Sequence, residues 1–290
     1  MSLPPLSFWP LGPEPGLAGL LADDIGFGDL TTRALGIGTR RGDITFAARA
    51  GLRLCGVEEA AHMLGGLGAT LTFSAASGTD MAAGEVVLRA QGPASALHAG
   101  WKMAQLIMEF SSGIASEAAA IVAAARGVTP DIAVTVTRKS VPFTRALSLK
   151  AALAGGAEIH RLGLHDSIMI FPEHLVFFEG DLAQAVAAAR RQSPERAVMV
   201  EVTSASAVRA AAQAGADVIQ LEKFTPEAAA SAVRAVTKRP DGRPIIAAAG
   251  GINSQNAALY AASGVDTLVT SAPFSANPRD IEVKFGKYAE

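Results

Sequence analysis

The stretch VMVEVTSASAVRAAAQAGADVIQLE, Val198–Glu222, decides the fold. Its two β-type runs, Val198–Val202 and Val218–Leu221, are almost wholly apolar, and an alanine-rich helical stretch, Ala205–Ala214, joins them. A strand with no polar alternation is covered on both faces, and a helix between two such strands makes them parallel neighbours. The same alternation extends in both directions. Apolar runs recur at Ile132–Thr137, Glu158–Arg161, Ser167–Phe171, Ile245–Ala249 and Thr267–Thr270, and further helical stretches lie at Leu182–Arg190, Pro226–Val236 and Asn256–Ala262. About seven parallel strands are too many for a small sheet and predict a barrel-like closure.

The N-terminal half differs. Leu17–Leu21 predicts a short helix ending before Gly26, and GDLTT (Gly28–Thr32) predicts a turn in which Asp29 satisfies nearby N–H groups. From Asp43 to about Ala94, the short runs ITFAARA, LTFSAA and VVLRA alternate with glycine turns, with a helix over Val57–Leu64. This pattern predicts a small α+β sandwich. Ala96–Ala125 is expected to be helical, with a break near Ser111-Ser112-Gly113.

Of the 290 residues, 50% are hydrophobic, enough for a large core, and the length suits two domains. The net charge of −2 provides no basic field for nucleic acid. Cys55 is the single cysteine, so no intrachain disulfide forms, and a cytoplasmic setting is expected. MSLPPLSFWP lacks the basic and apolar regions of a secretory signal, and no stretch is expected to cross a membrane.

In parallel β/α folds the site lies at the carboxyl ends of the strands. Those ends carry Arg138 and Lys139, His160 and Arg161, Glu201, Glu222 and Lys223, Gly250-Gly251 and Ser271. A glycine pair between strand and helix lets backbone N–H groups approach an anion, with Asn253 or Ser254 as expected N-cap, although a GG turn alone is more often just a turn. Glu201 and Glu222 suit a hard cation together with phosphate or ribose oxygens; pairing with neighbouring Lys or Arg is the bland alternative. The cations suit carboxylates or pyrophosphate.

These residues carry a family resemblance. TRKSVPFTR (Thr137–Arg145) resembles the TRKT-x-P-G-x-R signature of quinolinate phosphoribosyltransferases, and GGAEIHRLGLHDSIMI (Gly155–Ile170) resembles their GG-x-x-x-HR-x-GL-x-D-x-x-x-I segment. GDLTT, SSGIAS and AAAGGIN fall in the family's order. The resemblance implies an N-terminal sandwich with its linker helix over 1–112, an open β/α barrel over 113–271, and a C-terminal segment over 272–290 that returns to the sandwich. It also implies a homodimer with shared sites, which transfers phosphoribosyl from phosphoribosyl pyrophosphate to quinolinate with Mg²⁺, releasing pyrophosphate and CO₂. By motif position, Arg138, His160 and Arg161 would hold substrate carboxylates and Lys139 would meet pyrophosphate. Glu201 and Glu222 would serve ribose and metal, while Gly250, Gly251 and Ser271 would serve the 5′-phosphate.

The sequence departs from the family at several of these places. Lys102 replaces a partner-donated arginine, Phe171 replaces the lysine of IKDNH, Ala247 and Ala249 replace the glutamate and serine of EASGG, Glu222 replaces an aspartate, and Ser271 replaces a glycine. The pattern resembles the ModD branch, pyrophosphorylases associated with molybdenum transport genes, and losing the lysine at 171 implies a less anionic acceptor. Two other functions compete: a Schiff-base barrel enzyme using Lys139 or Lys223, and a non-catalytic nucleotide or ligand-binding protein supporting molybdate uptake.

Overall fold

Two units with separate cores form along the chain in this computed structural model, which describes residues 16–236, 242 and 244–287. Of the described residues, the first comprises 16–119, Ser140–Gly156 and 273–287; the second comprises Ala120–Lys139 and those between Ala157 and Ala272. The stretch MSLPPLSFWP lies outside the described residues.

The first unit begins with α1 (Gly16–Ile25), α2 (Leu30–Ala34), β1 (Arg41–Ala48) and β2 (Leu52–Arg53). It continues with α3 (Val57–Gly66), β3 (Thr70–Ser74), β4 (Asp80–Met81), β5 (Val86–Pro93) and the start of α4 (Ala94–Arg126). Its main sheet is antiparallel, with the C-terminal strand Ile281–Lys287 at one edge, then β1, β5 and β3. Along β1 the period of two buries Ile44, Phe46 and Ala48. Leu64 of α3 and Leu97 and Met108 of α4 belong to the same core.

Two local expectations are corrected. GDLTT is not only a turn: Asp29 accepts from Thr31 N (2.9 Å) and Thr32 N (3.2 Å), and α2 starts behind it. An aspartate that satisfies two orphan N–H groups is a helix start. Nor is α4 broken at Ser111-Ser112-Gly113; it runs unbroken for 33 residues. The Ser112 hydroxyl accepts from Cys55 N (3.0 Å) and donates to Cys55 O (3.3 Å), and a Cβ on Gly113 would collide with the Asn277 carbonyl. These small residues allow close packing and do not act as breakers. A third correction concerns membranes. Helix α4 is long and apolar enough to cross one by length and composition, with a mean hydropathy of 1.4 over an 18-residue window. Leu97, Met108, Ile114 and Ile121 are buried along it, as in the core helix of a globular protein.

Cys55 is fully buried, and burial pushes its thiol up to about 12, so it packs as a small hydrophobe. Near it lies an ion cluster centred on the buried Lys150. Lys150, on α5 (Arg145–Ala154), places Nζ 2.7 Å from Glu59 Oε1 and 2.9 Å from Glu58 Oε2 on the first turn of α3. Glu58 also accepts from Ser77 N (2.8 Å) and from its hydroxyl. Burial, the largest influence on Lys150, works downward, but hydrogen bonds and charge from Glu59 and Glu58 outweigh it and hold its pKa raised. Burial likewise works upward on Glu58, and Ser77 and Lys150 outweigh it to hold the carboxyl lowered. Before this segment, Phe143 takes a φ of 66°, a left-handed conformation that the signature's glycine would adopt without strain.

The second unit contains β6 (Ala133–Val136), β7 (Glu158–Ile159), β8 (Ile168–Ile170), α6 (Pro172–Leu175), α7 (Leu182–Gln192), β9 (Val198–Val202) and α8 (Ala205–Gln213). It closes with β10 (Val218–Glu222), α9 (Pro226–Ala235), β11 (Ile245–Ala249), α10 (Ala257–Ala262) and β12 (Thr267–Thr270); the C-terminal strand of the first unit is thus β13. Seven parallel strands run in the order β7-β6-β12-β11-β10-β9-β8. The end strands β7 and β8 do not pair, so the barrel is open on that side. The expected α/β class, an α+β sandwich plus an open barrel, is the observed architecture.

Replacing Lys150 with methionine strands Glu59, whose side chain is 12% exposed, while Glu58 keeps Ser77 and solvent. Removing one partner of a largely buried pair costs about 3 kcal/mol, so Lys150→Met should lower the first thermal transition by roughly 10 °C in calorimetry. The Glu58 contribution should be present above its ordinary pKa and lost as pH falls through its lowered folded value.

Candidate functional site

Parallel register aligns the polar residues of the barrel rim. Gln220 pairs with Glu201 on one side and Ala247 on the other, and Glu222 pairs with Ala249 one pleat further. Because side chains alternate along a strand, Gln220 and Glu222 share a face. Gln220 Nε2 donates to Glu201 Oε2 at 2.8 Å, while the buried Gln220 Oε1 has no hydrogen-bond partner.

A cavity of about 700 Å³ opens over this row. Glu201, Gln220 and Glu222 line it, with Arg138, Lys139, His160 and Arg161 from the β6 and β7 ends. Gly250, Gly251 and Ser271 line it from the loops after β11 and β12, and Lys223, Phe171, Glu173 and Asn253 also reach it. Thus the structure brings together every strand-end residue singled out in the sequence. Lys102 is not in this lining. It lies exposed on α4 in the first unit, with Nζ 2.7 Å from Gln105 Oε1 and 4.1 Å from the Trp101 ring centroid.

The loops that hold these groups are tied to each other. Thr137 N donates to Thr270 O (3.0 Å), His160 N to Val136 O (3.1 Å), and the Thr270 hydroxyl to Ile252 O (2.6 Å). Gly250 has φ 90°, and a Cβ there would strike Lys223 N and Cγ; Lys223 N donates to Ala249 O at 2.8 Å. Only glycine permits that approach. The expected helix start at Asn253 or Ser254 is corrected: α10 begins at Ala257, behind Asn256. The asparagines instead shape the loop, with Asn253 N donating to Asn256 Oδ1 (2.9 Å) and Asn256 Nδ2 to Gly251 O (3.0 Å).

Charge is divided across the cavity. Burial first, then the Glu222 charge, pushes the Glu201 carboxyl above its ordinary range. On the other side, burial and then Arg161 push His160 down, which favours a neutral imidazole at neutral pH. Burial and then Arg138 push the 8%-exposed Arg161 down, which still leaves a cation, and its guanidinium carbon is 5.5 Å from the Phe171 ring centroid. Two like-charged clusters face one space, as a site for a ligand with both anionic and hydroxyl groups requires.

Among the described residues no group of three His, Cys, Asp or Glu side chains could hold a metal. The oxygens of Glu201, Glu222 and the unpartnered Gln220 do fit a hard cation that keeps water or ligand oxygens in its shell. Gln220 and Thr270 were not singled out in the sequence, and Asn253 was expected only as a helix cap. A lone amide inside VIQLE, two residues before Glu222 and so on its face, was the available signal for Gln220.

The chain belongs to the quinolinate phosphoribosyltransferase family. The family model described as "Quinolinate phosphoribosyl transferase, C-terminal domain" matches residues 114–284, and the N-terminal domain model matches 29–112. Among similar proteins is the "Putative pyrophosphorylase ModD" of Rhodobacter capsulatus, 49% identical over 246 residues, covering 84% of this chain and 94% of that protein. The "Probable nicotinate-nucleotide pyrophosphorylase" of Methanothermobacter thermautotrophicus is 32% identical over 270 residues, covering 91% and 96% respectively. The solved structure of NadC from Streptococcus pyogenes has a TM-score of 0.85 at 26% identity and covers 100% of both chains.

The raised Glu201 pKa has a consequence for stability. A carboxyl raised in the folded state contributes stability that is present below its unfolded pKa and lost as pH rises through its folded value. Glu201→Gln keeps the acceptor for Gln220 and removes the charge. It should raise the melting temperature near neutral pH, and the gain should shrink as the buffer is taken below the ordinary carboxylate range.

Proposed function

We propose that the chain is a phosphoribosyltransferase of the pyrophosphorylase type. It moves phosphoribosyl from phosphoribosyl pyrophosphate to the ring nitrogen of an aromatic N-heterocyclic acid and releases pyrophosphate. The observation that carries this function is the divided cavity, with Glu201, Gln220 and Glu222 opposite Arg138, Lys139 and Arg161 and a glycine turn at its rim.

The glutamates bind the ribose hydroxyls, and the Gly250-Gly251 turn offers backbone N–H groups to the 5′-phosphate. Lys139 faces the pyrophosphate. When the ribose C1–oxygen bond breaks, its electron pair leaves with pyrophosphate, and the Lys139 cation stabilises that charge. Glu201 and Glu222 lie where the oxocarbenium-like ribose develops positive charge. The lone pair of the acceptor nitrogen then forms the new bond to C1. Where the acceptor bears a carboxylate beside the nitrogen, its loss as CO₂ leaves an electron pair on ring carbon that the cationic nitrogen stabilises until a proton is taken up. Bound Mg²⁺ would be held by Glu201 and Glu222 and would neutralise pyrophosphate charge.

Arg138 and Arg161 orient the acceptor's carboxylate, and neutral His160 can hydrogen-bond it without adding charge. Lys102 is assigned to the neighbouring subunit's site in a cytoplasmic homodimer; its exposure and its match to the family's partner-donated arginine support this role. Mixing Lys102→Ala with Arg138→Ala subunits should regenerate some complete sites and restore activity, whereas verified exchange without recovery contradicts sharing.

Calorimetry with phosphoribosyl pyrophosphate and Mg²⁺ should show saturable binding that Glu201→Ala or Glu222→Ala weakens. No binding at millimolar ligand would overturn the transferase function. Phe171 contributes only apolar contact where the family has a lysine, so quinolinate should be a poor substrate. Phe171→Lys supplies a charge-assisted contact of ~1.5–3 kcal/mol, and quinolinate kcat/KM should rise by roughly ten- to a hundredfold. Wild-type turnover of quinolinate above about 10⁴ M⁻¹s⁻¹ would show that Phe171 did not change the acceptor.

A further inference from the structure

Beyond the rim, the open side of the barrel holds a second cavity of about 600 Å³. It borders on β8, the end strand, and on α6 and α7, and it shares Arg138, Arg161, Met169 and Phe171 with the rim cavity. Its remaining walls are mainly apolar, including Leu164, Ile170, Leu175, Phe178 and the small Ala188 and Ala189 of α7. It is an open cleft, with Leu164 exposed at its edge, and apolar walls of this extent beside two guanidinium groups are fit for a ligand. Within it the buried Ser167 hydroxyl has no hydrogen-bond partner.

Phe171 sits at the junction. Its ring centroid lies 5.5 Å from the Arg161 guanidinium carbon, and the ring stacks on His174 at 5.6 Å between centroids. Phe171 N donates to His174 Nδ1 at 3.0 Å, which holds the turn into α6. An acid gripped by Arg138 and Arg161 therefore has an apolar ring beside it and an apolar space beyond it. A lysine at 171 would place a charge at the entrance to that space. Phenylalanine extends the apolar surface across it.

We propose that this side cavity is the specificity pocket for the acceptor, and that the acceptor is an aromatic heterocyclic carboxylate with an apolar arm, which passes Phe171 and lodges between β8 and α7. The proposal rests on the transferase function above for the identity of the ring. The arm itself is recognised by the cavity, whatever the donor.

Calorimetry on the full chain tests it with a pyridine monocarboxylate, bare or with a butyl chain at each free ring carbon in turn. Phosphoribosyl pyrophosphate with Mg²⁺ is titrated separately. At least one butyl isomer should bind about tenfold more tightly than the bare acid, the factor supplied by burying roughly two CH₂ groups. Ala189→Leu and, independently, Ala188→Phe fill the cavity away from the rim. Each should abolish the gain while binding of the bare acid and of phosphoribosyl pyrophosphate stays unchanged. A gain for no isomer, or one that survives both substitutions, overturns the proposal. If the butyl gain appears and is lost on filling but phosphoribosyl pyrophosphate does not bind, the side pocket stands and the transferase function falls.

Discussion

Parallel strand register is the constraint on which the second unit depends. Seven strands that run in one direction all end at one rim, so polar residues far apart in sequence are gathered without any contact between them in the chain. The pairing of Glu201 with Gln220 and of Glu222 with Ala249 sets the carboxylate row to within a pleat. A slip of one residue would turn the row out of the cavity. The apolar strand bodies, such as Val198–Val200 and Ile246–Ala249, hold that register by burial.

On this frame the cavity carries opposed charges, and their separation matters more than any single residue. Glu201 is held raised by burial and by Glu222, a strain that hydroxyl groups or a cation would relieve. Arg161 is nearly buried and feels the charge of the exposed Arg138, so an acid entering there meets one desolvated guanidinium and one solvated one. Both clusters lower the stability of the empty protein, the carboxylates favouring hydroxyl groups or a cation and the guanidiniums an anion, the usual trade between stability and function. Under the proposed function, Phe171 limits how much negative charge the acceptor acid can carry.

Much of this was legible in the sequence because strand ends are legible. Val198–Val202, Ile245–Ala249 and Thr267–Thr270 fall where their apolar runs predict, and so do the residues that follow them. Small residues misled: Ser111-Ser112-Gly113 has the composition of a break, but the Ser112 hydroxyl bonds Cys55, Gly113 lies close against the Asn277 carbonyl, and α4 runs on unbroken. The helix after Gly251 starts late because Asn253 and Asn256 bond the loop and not the helix end. Lys150 was invisible, since its partners lie about ninety residues earlier. The side cavity could not be read at all, because it is a property of an unpaired edge and of alanine where a larger residue would fill the space.

The central claim, that the divided rim is a phosphoribosyl donor site, is tested most directly by a crystal structure with phosphoribosyl pyrophosphate and Mg²⁺. The account predicts ribose hydroxyls at Glu201 and Glu222, the 5′-phosphate at Gly250-Gly251 and pyrophosphate near Lys139. A ligand bound in the opposite orientation, or bound away from the rim while the rim is accessible in the crystal, would contradict it.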